Sequence, residues 1–164
     1  MKKYLIVLAA ILFINSGCNF NNKAFKFNQD MVEKEDALVP EITKAEAKVS
    51  DFYKANQFDS IGIIGSQMEQ KVDEKINELE KIPVPDAKNS EAFKSAYINY
   101  FKYLKSIYTS YKNIGNAATD EERNTELANF QTLIAKKPQV ISEVKDVQKK
   151  FADENGFKLE NQPN

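Results

Sequence analysis

The sequence predicts an all-α domain, an antiparallel up-down four-helix bundle with long, proline-kinked first and fourth helices. Two observations carry this. Apolar residues recur at steps of three and four over four stretches separated by short links, and no stretch of length alternates as a β-strand does. The other arrangement open to these helices is an elongated hairpin pair that needs a partner to close its core.

The first helix spans about residues 24–56 and carries Phe25, Val32, Val39, Ile42, Val49 and Phe52. The second carries Ile61, Ile64, Met68, Val72, Ile76, Leu79 and Ile82 and ends at Pro83-Val84-Pro85, because proline cannot continue a helix and restrains the residue before it. The third has the clearest stripe, Phe93, Tyr97, Tyr100, Leu104, Ile107, Tyr111 and Ile114, widened by Phe101 and Tyr108. Gly115 is its expected stop, in the left-handed conformation that glycine adopts freely. The fourth, at about 120–155, opens with the capping-box pattern Thr119-Asp120-Glu121-Glu122. Its apolar positions are Leu127, Phe130, Ile134, Ile141, Val144, Val147 and Phe151, and Gly156 is the expected C-terminal cap.

Pro40 and Pro138 interrupt the first and fourth patterns near their midpoints. Antiparallel packing brings both kinks to one height, level with Tyr100 and Tyr103 of the third helix. Tyr100, Tyr103, Pro40 and Pro138 are therefore the candidate ligand or partner surface, a waist lined in part by tyrosine. The plainer reading is that each proline bends a long helix or starts a new helical segment. Most tyrosines of the third helix are expected in the core with hydroxyls reaching the rim, and Tyr103, off the stripe, is the ring expected to face a partner.

The first residues specify an address. Met1-Lys2-Lys3 precede an apolar run from Tyr4 to Ile14 and then Asn15-Ser16-Gly17-Cys18. A basic start, an apolar stretch of about 7–15 residues and small exit residues define a secretory signal. The run is shorter than the roughly 20 residues a membrane span needs. Small residues directly before the chain's single cysteine turn this into a lipobox, with Ser16, Gly17 and Cys18 marking cleavage and Cys18 the lipidated residue. It resembles bacterial lipoprotein signals with a relaxed box, since Asn15 stands where many carry leucine.

The expected organisation is a cleaved signal peptide at 1–17, a lipidated tether at 18–23, the bundle at 24–159 and a disordered tail at 160–164. One cysteine, used by the anchor, leaves no disulfide framework, so packing must supply stability. The mature 147 residues carry 21 basic and 24 acidic side chains, a net charge of −3. That balance argues against nucleic acid, and the single arginine, Arg123, excludes an arginine cluster for anionic ligands.

Candidate chemistry is sparse. The chain has no histidine, which removes the commonest general base and transition-metal ligand. Gly62 and Gly65 form the one close glycine pair and suit helix packing better than phosphate binding. Glu69, Asp73, Glu74 and Glu78 can share a face of the second helix, where paired acids bind a hard cation or act in glycoside cleavage. Interleaved Lys71, Lys75 and Lys81 favour a solvated charged face. No catalytic residue, metal ligand or cofactor is assigned.

The combination of Ser16-Gly17-Cys18, Ala24-Phe25-Lys26-Phe27-Asn28, the aromatic third helix and the ending Phe151-Ala152-Asp153-Glu154-Asn155-Gly156-Phe157 resembles the small uncharacterised all-helical lipoproteins of Gram-negative bacteria. That class has no assigned activity, so the resemblance implies fold and location but no site residues. With Asn19 rather than aspartate after the cysteine, it implies an outer-membrane lipid anchor, on the periplasmic face or at the cell surface. The expected function is a non-enzymatic helical binding or scaffold module with a protein partner in the envelope. The alternatives are a carrier of a small apolar or aromatic ligand in the waist and, last, a carboxylate-based metal site.

Overall fold

A computed structural model describes residues 23–159. Cys18, Ser16 and Gly17 lie outside them, as do the signal and tail segments. Six helices follow one another: α1 (Lys23–Asp36), α2 (Val39–Lys54), α3 (Phe58–Lys81), α4 (Ser90–Asn116), α5 (Asp120–Ala135) and α6 (Lys137–Glu154). They make four rods. α1 and α2 form the first and α5 and α6 the fourth, each interrupted where the sequence places its proline.

The rods alternate in direction. Lys34 pairs with Glu78 and Glu41 with Lys71, so the first rod and α3 are antiparallel. Asp73 meets Lys105 and Glu69 meets Lys112, so α3 and α4 are too. Tyr103 reaches Leu133 and Asn113 reaches Glu126, which sets α5 against α4 in the same sense. The first rod and α4 run parallel, as an up-down bundle requires of its first and third members.

Both breaks begin new segments. Pro40 and Pro138 sit in the first turns of α2 and α6, where a backbone N–H has no intrahelical acceptor to lose. Both side chains are exposed. Among the described residues no helix is long and apolar enough to cross a membrane.

Aromatic side chains of α4 run along the core and gather most densely at one end. Phe93 stacks on Phe151 with ring centroids 4.8 Å apart, and Phe27 meets both edge-on. All three are at most 3% exposed, and burying each such side chain contributes about 2–3 kcal/mol. Phe157 folds back onto Phe25 and Phe151 after Gly156, whose φ of 72° makes the turn out of α6.

Gly115 does something other than stop α4. It lies inside the helix with ordinary φ and faces Gly62 of α3. A Cβ on Gly115 would run into the Gly62 backbone, and one on Gly65 into the Lys112 backbone. Three glycines thus let α3 and α4 approach backbone to backbone, and the close-packing reading of Gly62 and Gly65 holds.

The apolar face of the first rod is rotated from the one the large side chains suggest. Residues 24, 28, 31, 35, 38, 42, 45 and 49 are all buried, a strict alternation of steps of four and three. Phe25, Val39 and Phe52 are only half-buried beside it. Two members of the buried stripe are polar, Asn28 and Glu35, which hid its phase.

α5 is the least embedded element and buries none of its residues. The predicted capping box is present: the Glu122 amide donates to Thr119 Oγ1, and the Thr119 amide donates to the Glu122 carboxylate. Leu127, Phe130, Leu133 and Ile134 rest half-buried on the core, with the Phe130 ring 4.9 Å from that of Tyr111.

Candidate functional site

The unusual chemistry lies between the first rod and α4. Glu35 is fully buried and accepts hydrogen bonds from the Tyr97 hydroxyl at 2.6 Å and the Tyr100 hydroxyl at 2.9 Å, one on each oxygen. Tyr97 and Tyr100 are three residues apart on one face of α4, so both phenols converge on one acceptor. Glu35 occupies a core position of the α1 stripe, so its carboxyl points inward.

The arrangement recurs. Glu46 on α2 accepts from the Tyr111 hydroxyl at 2.9 Å, with Tyr108 beside it. Glu35 to Glu46, Tyr97 to Tyr108 and Tyr100 to Tyr111 are each separated by eleven residues. Eleven residues are close to three helical turns, about 16 Å along parallel helices, so both partners return to the same face together. In the second cluster Glu46 Oε1 and the Tyr108 hydroxyl are buried and lack a hydrogen-bond partner. One is an acid oxygen and the other a phenol, so a modest side-chain rotation would join them.

A third polar layer lies toward the aromatic end. Gln148 of α6 donates to Asn28 of α1 at 2.8 Å, and both residues are fully buried.

Electrostatics follow from burial. Glu35 is pushed up to about 7, chiefly because desolvation penalises its anion, while the Tyr97 and Tyr100 hydrogen bonds oppose the shift. Glu46 is likewise pushed up to about 7 by burial, with opposition from the Tyr111 and Tyr108 phenols and then Lys137. The phenols move the same way. Burial and the neighbouring carboxyls hold Tyr97, Tyr100, Tyr108 and Tyr111 above the usual tyrosine range, so they remain hydrogen-bond donors. Among the described residues, no ion pair includes Glu35 or Glu46.

A carboxyl with pKa near 7 can serve as a general acid or base when substrate reaches it. Here both Glu35 oxygens are capped by phenols inside a packed core, and the two acids are three turns apart. The geometry suits a structural or proton-binding role better than catalysis.

The residues singled out from sequence fall into three groups. Tyr100 is in the first cluster and only 3% exposed, so it faces the interior. Tyr103 is half-buried and donates to the Leu133 carbonyl of α5 at 3.2 Å, which ties the third and fourth rods. Burial pushes its phenol up to about 12. Pro40 and Pro138 are exposed on the outer side of their breaks. The breaks do lie at one height: Glu35, three residues before Leu38, meets Tyr100, and Leu133, three before Lys136, meets Tyr103. The expectation that the core hydroxyls reach the rim is corrected for Tyr97, Tyr100 and Tyr111, which turn inward to carboxyls.

The acids of α3 serve as links to neighbouring groups. Thr109 and Lys112 hold Glu69 below the ordinary carboxylate range, and Lys75 and Lys34 do the same for Glu78. Asp73 pairs with Lys105 and Glu74 with Gln70. Among the described residues no three acids, cysteines or histidines converge as a metal site would require.

Sequence reasoning missed Glu35 and Glu46. The available signal was the eleven-residue echo of two Tyr-x-x-Tyr pairs in α4 by two glutamates in the first rod, with Glu35 on a core heptad position. Comparison with protein-family models, curated proteins and solved structures finds no match to this chain.

Proposed function

We propose that this protein is a membrane-anchored envelope lipoprotein, tethered through Cys18, whose helical bundle is a non-enzymatic binding or scaffold module for a protein partner. The observation that carries the reading is the N-terminal sequence, in which Lys2-Lys3, the Tyr4–Ile14 apolar run and Ser16-Gly17-Cys18 stand in the order a lipoprotein signal requires. The outer membrane is the proposed location, on the residue following the cysteine, Asn19.

The fold supports the same reading. α1 begins at Lys23, five residues after Cys18. Such a tether spans at most about 17 Å when extended, which keeps the α1 end of the bundle near the lipid surface. α4 has 27 residues, so the opposite end stands about 40 Å further out. Rods bound by interhelical ion pairs and a packed aromatic core suit a rigid stand-off module. The carrier alternative has less support, because the turn from Tyr100 to Leu104 is filled by buried side chains.

The test is fractionation of cells that express the wild-type chain or Cys18→Ala, with affinity capture of the solubilised membranes. The proposal expects the wild type in the membrane with a protein partner at near-stoichiometric amount, and the variant released from it. Equal membrane retention of both forms would refute the tether, and capture of the lipidated protein alone would refute the partner.

A further inference from the structure

We propose that the contact between the first rod and α4 is a proton-controlled seam, closed when Glu35 and Glu46 are protonated and loosened when they are ionised. The inference rests on the two clusters, one around the fully buried Glu35 and one around the half-buried Glu46, and stands whether or not Cys18 carries lipid.

The geometry is that of a seam with two acid contacts on either side of a joint. Glu35 lies just before the break at Ala37–Leu38 and Glu46 about two turns after it, so each half of the first rod is fixed to α4 by one carboxyl. Opposite them α4 presents only phenols, Tyr97 and Tyr100 to Glu35, and Tyr108 and Tyr111 to Glu46. α6 brings Lys145 toward Glu35 and Lys137 toward Glu46, neither at ion-pair distance, and Asp36 adds a second acid beside Glu35. α3 spends its facing charges elsewhere, with Lys71 on Glu41 and Glu78 on Lys34 and Lys75. α5 contributes the Phe130 ring over Tyr111.

Protonation suits the Glu46 cluster, and at Glu35 it removes a buried charge whose desolvation the two phenols only partly offset. A neutral Glu46 can donate from Oε1 to the Tyr108 hydroxyl, which satisfies both buried atoms now without partners. Ionisation instead leaves an anion in a low-dielectric seam with no paired cation, and such a charge is relieved by admitting water. Water enters most readily where helices are interrupted or shallowly packed, which here means the joint of α1 and α2, where the helical ladder breaks, and α5, which buries no residue. Burial places both acids near pH 7, so the change falls close to neutrality.

Hydrogen exchange read by mass spectrometry on the full chain in detergent tests the proposal, at pH 5.5 and 8.5 with intrinsic exchange rates divided out. The expected result is at least a tenfold loss of protection in α1–α2 and α5 at the higher pH, while the α3–α4 pair keeps its protection. Linkage allows on the order of thirtyfold per carboxyl between these two pH values. The Glu35→Gln/Glu46→Gln variant should show equal protection at both values. Unchanged protection in the wild type, a loss spread evenly over α3 and α4, or the same loss in the variant would each overturn the seam. If the double variant does not fold, carboxyl titration of the wild type by NMR decides: two glutamates with midpoints near 7 support the seam, and midpoints near 4.5 refute it.

Discussion

Glu35 shows how one residue can sit at a core position without being apolar. Two phenols three residues apart on α4 supply both of its hydrogen bonds, and the neutral acid removes the cost of a buried charge. Because folding raises its pKa from 4.5 to about 7, its contribution to stability is complete below pH 4.5. It is lost as pH climbs through 7, by roughly 3 kcal/mol in all. Glu69 and Glu78 act in the opposite sense. Their pKa values are lowered, so their contribution is present above pH 4.5 and fades as pH falls further. Together these three groups favour mild acid. Glu35→Gln keeps the shape and removes the titration, and it should raise stability by about 1–3 kcal/mol more at pH 8 than at pH 5. Urea unfolding at both values checks this, and an equal change at each would contradict it. Tyr97→Phe removes a donor to Glu35 and should lower stability at both values by about 1 kcal/mol, again read from urea midpoints.

At the scale of elements, the number of rods, their order and most ends were legible because they rest on local rules. Pro83-Val84-Pro85 stops α3, the Thr119 box starts α5 and Gly156 turns the chain out of α6. The two prolines were legible as interruptions, and the structure gives their role as helix starts. Pro40→Ala and Pro138→Ala should accordingly change stability by less than about 1 kcal/mol, against 3 or more for a proline lodged in a helix interior, as thermal melts would report. What the sequence concealed was tertiary. Gly115 reads locally as a stop, but its conformation is helical and its small size serves the contact with Gly62. Gly65→Ala should cost about 2 kcal/mol or more, because the added methyl meets the backbone of α4 and no side chain can yield. Gly156→Ala has open space and only a positive φ to oppose it, so about 1 kcal/mol is expected from the same melts. The first rod was read correctly at Val32, Ile42 and Val49 and beside the core at Phe25, Val39 and Phe52, for a related reason. Its core stripe includes Asn28 and Glu35, and polar residues are invisible to a count of apolar spacing.

For the whole molecule, four alternating rods with two buried polar layers, and a third half-buried at Glu46, make a bundle whose register is set by side-chain pairing as well as by apolar packing. Asn28 with Gln148, Glu35 with Tyr97 and Tyr100, and Glu46 with Tyr111 are all met together only in the native alignment, since a rod shifted by a turn or two would leave them unpartnered. Such a body is suited to hold its shape while tethered by one end. The site was less legible than the fold because each cluster joins residues about 60 apart in sequence, and no local pattern ties Glu35 to Tyr97. The tether is the claim on which the proposed function depends, and mass spectrometry of the N-terminal peptide from membrane-extracted protein tests it most directly. The account predicts a peptide that begins at Cys18 and carries acyl chains on that residue; a chain that retains Met1, or a mature N-terminus with Cys18 as an unmodified thiol, would contradict it.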